Sequence, residues 1–122
     1  MNTAYIMLSS NDFPVQNIDR AIEILADHFE VADQSSVMVT KPVGAVYKAD
    51  FHTMALKIFS DDNADDTIAI FKMVEQTLGR NAESKLNGLI PMDIDLIIWN
   101  DKVVHSDYER FDFVKNCIDE IR

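Results

Sequence analysis

The sequence predicts an α+β fold in which an antiparallel sheet carries two helices and a further helix follows near the C-terminal end. Three observations predict it: short apolar segments bounded by polar turns, segments with apolar residues at steps of three and four, and the order in which the two kinds occur. A length of 122 residues with 48% hydrophobic residues is enough for one core. We therefore expect residues 1–122 to form a single domain.

The first strand and the first helix are predicted near the N-terminal end. The apolar run at residues 4–8 ends in a polar turn at residues 9–11, which is typical of a buried strand. Pro14 suits the first turn of a helix, and Asn11 and Asp12 are candidate N-caps. The apolar face of this helix is formed by Val15, Ile18, Ile22, Leu25 and Phe29.

Two further strands and a second helix are predicted in the middle of the chain. Residues 37–40 form a short apolar strand that stops at Pro42, and residues 44–50 are predicted to be a loop. Residues 51–59 alternate between apolar and other side chains, as a strand does. The second helix carries Ile68, Phe71, Val74 and Leu78 on one face. Gly79 fits its C-terminal cap.

Four aspartates come just before the second helix, and two interpretations apply to them. Asp61, Asp62, Asp65 and Asp66 would stabilise the helix N-terminus through capping and the helix dipole. A calcium loop is the alternative, but the spacing does not fit an EF-hand and no glutamate follows to close it. We therefore expect the aspartates to have the capping role.

The last strand and helix complete the order of elements. After a polar loop at residues 81–91, residues 92–100 alternate as a strand. Its expected faces are Ile94, Leu96 and Ile98 on one side, and Asp93, Asp95, Ile97 and Trp99 on the other. A turn at residues 100–101, an extended pair at 103–104 and a helix with Phe111, Val114, Ile118 and Ile121 follow. The order β-α-β-β-α-β with a terminal helix is typical of the ferredoxin-like fold.

Asp93 and Asp95 are the candidate site residues in this strand. Two residues apart on one face, their Cα atoms lie roughly 7 Å from each other. Both carboxylates can therefore reach one hard cation, or flank a phosphate group. Burying two acids is costly unless something pairs them, so the alternative is an exposed, wet strand end. The spacing alone leaves the two interpretations open.

The charge and composition limit the classes of partner. A formal net charge of -10 argues against nucleic acid or an anionic membrane as a general partner. Any nucleotide site would depend on a metal ion and a local basic cluster. The sequence lacks a bilayer-length apolar run and a charged leader, so we expect a cytoplasmic protein that is a monomer or a small homo-oligomer. Cys117 is the only cysteine, which excludes an internal disulfide, and His28, His52 and His105 show no metal-ligand spacing.

Several segments together resemble the 6-hydroxymethyl-7,8-dihydropterin pyrophosphokinase family of the folate pathway. Residues 5–11 resemble its opening strand and Gly-Ser-Asn turn, and residues 75–80 its Glu-x-x-x-Gly-Arg segment. Gly88 and residues 92–96 fall where the family has Gly-Pro-Arg-Thr-x-Asp-Leu-Asp-Ile, at matching spacing from Arg80. Segments 35–44 and 50–51 resemble its second strand, pterin loop and third strand.

The resemblance implies an ATP-dependent reaction. The family transfers pyrophosphate from ATP to the hydroxymethyl group of a pterin, with Mg²⁺ held by two aspartates. Here these would be Asp93 and Asp95, acting as metal ligands and, with Arg80, as the catalytic residues. The resemblance implies nucleotide contacts from Glu75, Arg80, Lys85 and Arg110, and pterin contacts from Val43, Gly44, Phe51, Thr53 and Phe113. ATP and a pterin are thus the expected partners, and Mg²⁺ the expected cofactor.

The sequence also departs from the family pattern at positions that contact substrate. Ile90 and Ala82 stand where the family has basic residues, and neither can bind phosphate as an arginine fork does. Asn87 stands in place of an aromatic clamp, and Thr53 in place of the asparagine that reads the pterin edge. Ser9 replaces a glycine, and the family's Val-Pro-His segment is missing or shortened. The alternative function is therefore a family member without pterin activity that binds a nucleotide or a protein partner.

Overall fold

The computed structural model describes residues 1–42, 44 and 46–122. The strands are β1 (Asn2–Ser10), β2 (Glu30–Gln34), β3 (Met38–Thr40), β4 (Phe51–Ser60), β5 (Asp93–Trp99) and β6 (Lys102–Val103). The helices are α1 (Pro14–His28), α2 (Ala64–Thr77), α3 (Ala82–Leu86), α4 (Asp107–Arg110) and α5 (Asp112–Ile121).

The strands form one antiparallel sheet in the order β2-β4-β1-β5-β6, and β3 also pairs with β4. The central strand β1 pairs with β4 along its whole length and with β5 from Ala4 to Ser9. Because β2 and β3 both pair with β4, together they occupy the place of the single second strand of a β-α-β-β-α-β unit. The α+β, ferredoxin-like prediction with a C-terminal helix is confirmed.

The sheet is covered on both faces. Helices α1 and α2 pack on one face through a cluster that includes Leu25 and Phe71, both fully buried. Helix α5 packs on the opposite face through Cys117 and Ile118, which contact Tyr5 and neighbouring strand residues. Cys117 is thus a buried member of this second cluster. Burial of apolar side chains on both faces supplies the main driving force for this arrangement.

Three short elements were not predicted from the sequence. Strand β2 is polar and mostly exposed, so it carries no apolar alternation, and it is held by pairing with β4. Helix α3 lies in the segment predicted to be a loop, where Asn81 and Ser84 cap each other's backbone N–H groups. Helix α4 is a single turn just before α5. Each is too short or too polar to produce a periodic pattern.

Several local predictions were wrong. The N-cap of α2 is Asn63 rather than one of the predicted aspartates, of which Asp65 and Asp66 lie in the first turn of the helix. The cap of α1 is Phe13, with a left-handed φ of 42°, rather than Asn11 or Asp12, while Pro14 begins the helix as expected. In β5 a bulge at Ile97 leaves this residue without a partner on β1, since Tyr5 pairs with Ile98 and Ile6 with Leu96.

The bulge reverses the expected alternation at the end of β5. Ile97 and Ile98 both belong to the α5-side cluster, and Trp99 packs against the cluster on the α1 and α2 side. The alternation predicted Trp99 on the face of Asp93 and Asp95, and this prediction is wrong.

Within the described residues, no helix is both long and apolar enough to cross a bilayer.

Candidate active site

A cavity of about 170 Å³ opens on the α5 side of the sheet, where β1, β4 and β5 meet α5. Its aromatic lining is formed by Tyr47, Phe51, Phe111 and Phe113. Its polar lining is formed by Ser9, Thr40, Lys41, Thr53, Asp93, Asp95 and Asp107. One wall is thus suited to a flat ring, and another concentrates carboxylates.

The predicted aspartate pair lies at this cavity, at the start of β5. The side chains of Asp93 and Asp95 are 35% and 31% exposed, so both reach the opening without being fully solvated. They lie on the same face because they precede the bulge. The alternative interpretation, an exposed strand end, is therefore incomplete, since the two carboxylates lie together on one partly buried wall of the cavity.

Arg80 is bound to the first of these carboxylates. Its Nη1 donates to Asp93 Oδ1 at 2.8 Å and to the Met92 carbonyl at 3.3 Å, and lies 3.2 Å from Glu75 Oε2. The guanidinium thus links the C-terminal end of α2 to the start of β5. Charge-assisted bonds of this kind fix the orientation of both partners.

Glu75 is the buried anchor of this arrangement. Its carboxylate accepts a hydrogen bond from the Ile94 backbone N–H at 2.8 Å, and Lys72 lies 3.7 Å away. Burial raises the pKa of the Glu75 carboxyl above its usual value, although the Ile94 N–H and Arg80 favour the charged form. A carboxylate held this way places Arg80 against Asp93, which is a positioning role.

The second carboxylate is poorly compensated. Burial, together with the charge of Asp93, raises the pKa of Asp95 to about 7. Two neighbouring carboxylates in a partly buried wall repel each other unless a cation lies between them. Their oxygens are the ligands that Mg²⁺ prefers, so the donor set fits the metal that the family resemblance implies.

Replacing Asp95 with asparagine should stabilise the metal-free protein at high pH. Folding raises the pKa of Asp95 from 3.8 to about 7, so the folded chain binds this proton more tightly than the unfolded chain does. The free energy of unfolding therefore falls as the pH rises from 3.8 to about 7, and the variant avoids this loss. We expect a gain of roughly 1–3 kcal/mol at pH 8 and almost none at pH 4 by chemical denaturation. A variant that is less stable at pH 8 would contradict this explanation.

Sequence reasoning missed that His105 lies next to Asp95, although His105 lines a neighbouring pocket rather than the cavity itself. Its Nε2 lies 3.8 Å from Asp95 Oδ1, and its Nδ1 accepts a hydrogen bond from the Asp107 backbone N–H at 3.1 Å. The sequence feature that could have revealed this is the predicted two-residue turn at residues 100–101. In the hairpin, Ile98 pairs with Val103, and continuing this register places His105 across from Leu96 and therefore beside Asp95.

The aromatic wall contains both predicted pterin-contacting phenylalanines. Phe51 packs edge-to-face with Tyr47 at 5.2 Å between ring centroids, and Phe113 stacks on Phe111 at 5.3 Å. Phe51 and Phe113 come from β4 and α5 and line the same cavity. Side chains that are apart in the sequence therefore form one apolar slot.

The polar floor of the cavity differs from the expectation for a pterin-reading amide. Thr53 is buried, and its hydroxyl shares a hydrogen bond with the Ser9 hydroxyl at 3.2 Å. A hydroxyl pair can donate and accept hydrogen bonds, but it cannot offer the paired donor and acceptor that an asparagine amide presents.

The remaining predicted residues lie outside this cavity. Lys85 is exposed on α3 and lines a separate pocket on the Arg80 side, next to Glu75 and Lys72. Arg110 is exposed, with its guanidinium 4.8 Å from the Phe111 ring centroid. Gly44 is exposed with a φ of 104°, and Val43 lies outside the described residues. Their binding roles stay predictions.

The positions that depart from the family pattern have structural roles of their own. Ile90 is buried, and its backbone N–H donates to Asn11 Oδ1 at 2.6 Å. Asn87 caps the C-terminus of α3, and Ala82 begins that helix. Lys41 lines the cavity just after β3, with its ammonium exposed and 3.5 Å from an Asp50 carboxylate oxygen, so Asp50 partly offsets the positive charge that Lys41 brings.

Comparison with known proteins supports the resemblance. A family model described as 7,8-dihydro-6-hydroxymethylpterin-pyrophosphokinase matches residues 5–122. The chain is also similar to the 2-amino-4-hydroxy-6-hydroxymethyldihydropteridine pyrophosphokinase of Bacillus subtilis (strain 168), with 29% identity over 109 residues. That alignment covers 87% of this chain and 65% of the relative, so the chain spans about two thirds of the relative's length.

Proposed function

The chain belongs to the 7,8-dihydro-6-hydroxymethylpterin-pyrophosphokinase family, and we propose that it transfers pyrophosphate from ATP to the hydroxymethyl group of a 7,8-dihydropterin. The observation that carries this proposal is one shared cavity: Asp93 and Asp95 line the same space as Phe51 and Phe113. A triphosphate bound at the carboxylate wall and a pterin ring in the aromatic slot would therefore be adjacent.

The reaction requires one bond to form and one to break. The hydroxymethyl oxygen of the pterin attacks the β-phosphorus of ATP, and the bond from that phosphorus to the α–β bridging oxygen breaks. AMP leaves with the bridging oxygen, and the hydroxyl proton is released to solvent or to a nearby base. Transfers of this type depend mainly on positioning and charge neutralisation rather than on covalent chemistry by the protein.

In the proposed site Asp93 and Asp95 would hold Mg²⁺, which supplies charge neutralisation at the phosphates. Arg80 holds Asp93 in place, and Glu75 holds Arg80. Lys41 adds a positive charge at the cavity and Phe51 the flat contact for the ring. The chain's own residues thus bind, orient and neutralise, as this class of reaction requires.

A binding protein without transferase activity is the second candidate. One observation in its favour is Ile90, which stands where the family has a phosphate-binding arginine. Its side chain is buried and apolar, so it cannot bind a phosphate. The buried Thr53 hydroxyl in place of a pterin-reading asparagine favours it as well. Such a protein would keep the aspartate pair and the nucleotide but lose the pterin.

Calorimetric titration distinguishes the two candidates. The chain is titrated with a non-hydrolysable ATP analogue and Mg²⁺, and then with 6-hydroxymethylpterin in the presence and absence of the analogue. We expect both ligands to bind, with the pterin binding more tightly after the nucleotide. Binding of the nucleotide alone would favour the second candidate, and binding of neither would contradict both.

A further inference from the structure

We propose that the hydroxyl pair of Ser9 and Thr53 makes the cavity tolerant of the ring edge that lies farthest from the hydroxymethyl group. The site would then transfer pyrophosphate to the 2-oxo relative of the pterin, 6-hydroxymethyl-7,8-dihydrolumazine, about as well as to the 2-amino pterin. This inference rests on the proposed function, since it takes the ring to lie in the aromatic slot, and it names the class of rings that the slot accepts.

The strand register places the hydroxyls and the carboxylates at opposite ends of one row. Thr53 on β4 pairs with Ser9 on β1, and Ser9 pairs with Asp93 on β5, so the three side chains lie on the same face of the sheet. Neighbouring strands are about 4.8 Å apart, so Thr53 and Asp93 are separated by roughly 9–10 Å. A fused two-ring heterocycle with a one-carbon substituent spans this row. When its hydroxymethyl group is at the carboxylates, its far edge is therefore at Thr53.

The two hydroxyls at the far end satisfy each other. Ser9 Oγ and Thr53 Oγ1 lie 3.2 Å apart, and either atom can be the donor. Thr53 is 1% exposed and Ser9 is half-buried, and both line the cavity. Phe51 precedes Thr53 by two residues on the same strand, so a ring against Phe51 lies next to the hydroxyl pair.

A hydroxyl group does not distinguish a donor from an acceptor on the ring. By rotating about its C–O bond it can donate to a carbonyl oxygen or accept from an amino group. The 2-amino group of a pterin is a donor, and the 2-oxo group of a lumazine is an acceptor of similar size. Ser9 and Thr53 can therefore bind either group by reversing the direction of their shared hydrogen bond.

The other charged groups of the cavity do not select between the two rings at this end. Among the described lining residues, these groups are Lys41 and three aspartates. Carboxylate oxygens of Asp95 and Asp107 lie within 4.8 Å of each other, so Asp107 belongs with the carboxylates at the opposite end. Lys41 is exposed, and its ammonium is already paired with Asp50 at 3.5 Å.

The self-paired hydroxyls limit how strongly a mismatched ring is rejected. A site rejects an analogue by about 10⁴–10⁵-fold when the mismatch leaves a buried polar group of the protein unpaired. Ser9 and Thr53 avoid this penalty because they bind each other without a ligand. We therefore expect the two rings to differ by less than about tenfold in affinity and in kcat/KM.

The bond changes are the same for both rings. The hydroxymethyl oxygen forms a bond to the β-phosphorus of ATP, and the bond from that phosphorus to the α–β bridging oxygen breaks. AMP leaves with the bridging oxygen, and the hydroxyl proton goes to solvent. The group at ring position 2 takes no part, so it affects only how the ring is held.

Parallel measurements on the two rings test the proposal. AMP release from ATP is followed with 6-hydroxymethyl-7,8-dihydropterin and with 6-hydroxymethyl-7,8-dihydrolumazine, and the two oxidised compounds, 6-hydroxymethylpterin and 6-hydroxymethyllumazine, are titrated by calorimetry. We expect the Kd and kcat/KM values of the two rings to agree within about tenfold. Thr53→Val keeps the shape of the side chain and removes its hydroxyl. It should weaken both rings equally, by about 2–10-fold.

The control is Thr77→Val, the same change at an exposed position on α2, which should leave both Kd values unchanged. A lumazine that binds more than about 100-fold more weakly than the pterin to the unsubstituted chain would overturn the inference. Unchanged binding of both rings by Thr53→Val would overturn it as well, since the ring edge would then lie elsewhere. In either case AMP release with the pterin would still support the proposed function, whereas binding of neither ring and no AMP release would contradict both.

Discussion

Asp95→Asn should reduce the pterin-dependent release of AMP from ATP on the order of 10³-fold. The substitution keeps the shape of the side chain but removes one of the two negative charges that would hold the metal ion. Loss of metal-mediated charge stabilisation costs several kcal/mol in the transition state, and each 1.36 kcal/mol is a factor of ten in rate. Steady-state kinetics at saturating Mg²⁺ measures the loss.

The control for this variant is Asp65→Asn. Asp65 is an exposed aspartate in the first turn of α2, so its substitution makes the same change in net charge away from the cavity. It should leave the rate unchanged. Asp95→Asn is also expected to be more stable than the unsubstituted chain at pH 8, so a slow variant cannot be explained by unfolding. An unchanged rate in the Asp95→Asn variant would contradict the proposed role of this carboxylate in holding the metal ion.

Gly88→Ala should destabilise the chain by about 2–5 kcal/mol and weaken pterin binding. Gly88 has a φ of 72°, and a Cβ there would lie 2.1 Å from the Val46 carbonyl oxygen, which is backbone and cannot rotate away. The estimate combines left-handed strain with overpacking. The neighbouring segment carries Tyr47, which packs on Phe51, so the aromatic wall should move as well. Thermal unfolding and pterin titration measure the two effects.

Gly79→Ala separates strain from overpacking. Gly79 also has a positive φ, of 100°, but a Cβ there would meet no atom within 4 Å. We expect it to cost roughly 1–2 kcal/mol, the strain alone, and to leave pterin binding unchanged. Equal destabilisation by the two substitutions would show that the contact between Gly88 and Val46 carries no specific cost.

The regular elements could be predicted because their signals are local. The apolar stripe of α1, the alternation of β4 and the Asp93–Asp95 spacing are each contained in fewer than 20 residues. All three appear in the structure, except that Val15, predicted to belong to the α1 stripe, is 59% exposed. Strand β2 could not be predicted, since it is polar and is held by β4, which lies about 20 residues further along the chain. Its stability comes from a partner that periodicity does not reveal.

The site was only partly predictable for a similar reason. Alternation placed Asp93 and Asp95 on one face, but the bulge at Ile97 reversed the face of Trp99. A bulge depends on how β1 and β5 fit together, which a single strand's sequence does not specify. The position of His105 beside Asp95 depends on the register of the β5–β6 hairpin, and the cavity forms only where β4 and α5 meet. Local patterns predicted the two aspartates of one strand, whereas the walls of the cavity depend on tertiary contacts.

One measurement tests the proposed function most directly: phosphorus NMR of the unsubstituted chain with ATP, Mg²⁺ or Mn²⁺, and 6-hydroxymethyl-7,8-dihydropterin. We predict that AMP and a pyrophosphorylated pterin appear in equal amounts, and that neither forms when the pterin is left out. ATP that stays intact with both metals, or that is hydrolysed regardless of the pterin, would contradict the assignment of this cavity to pyrophosphoryl transfer.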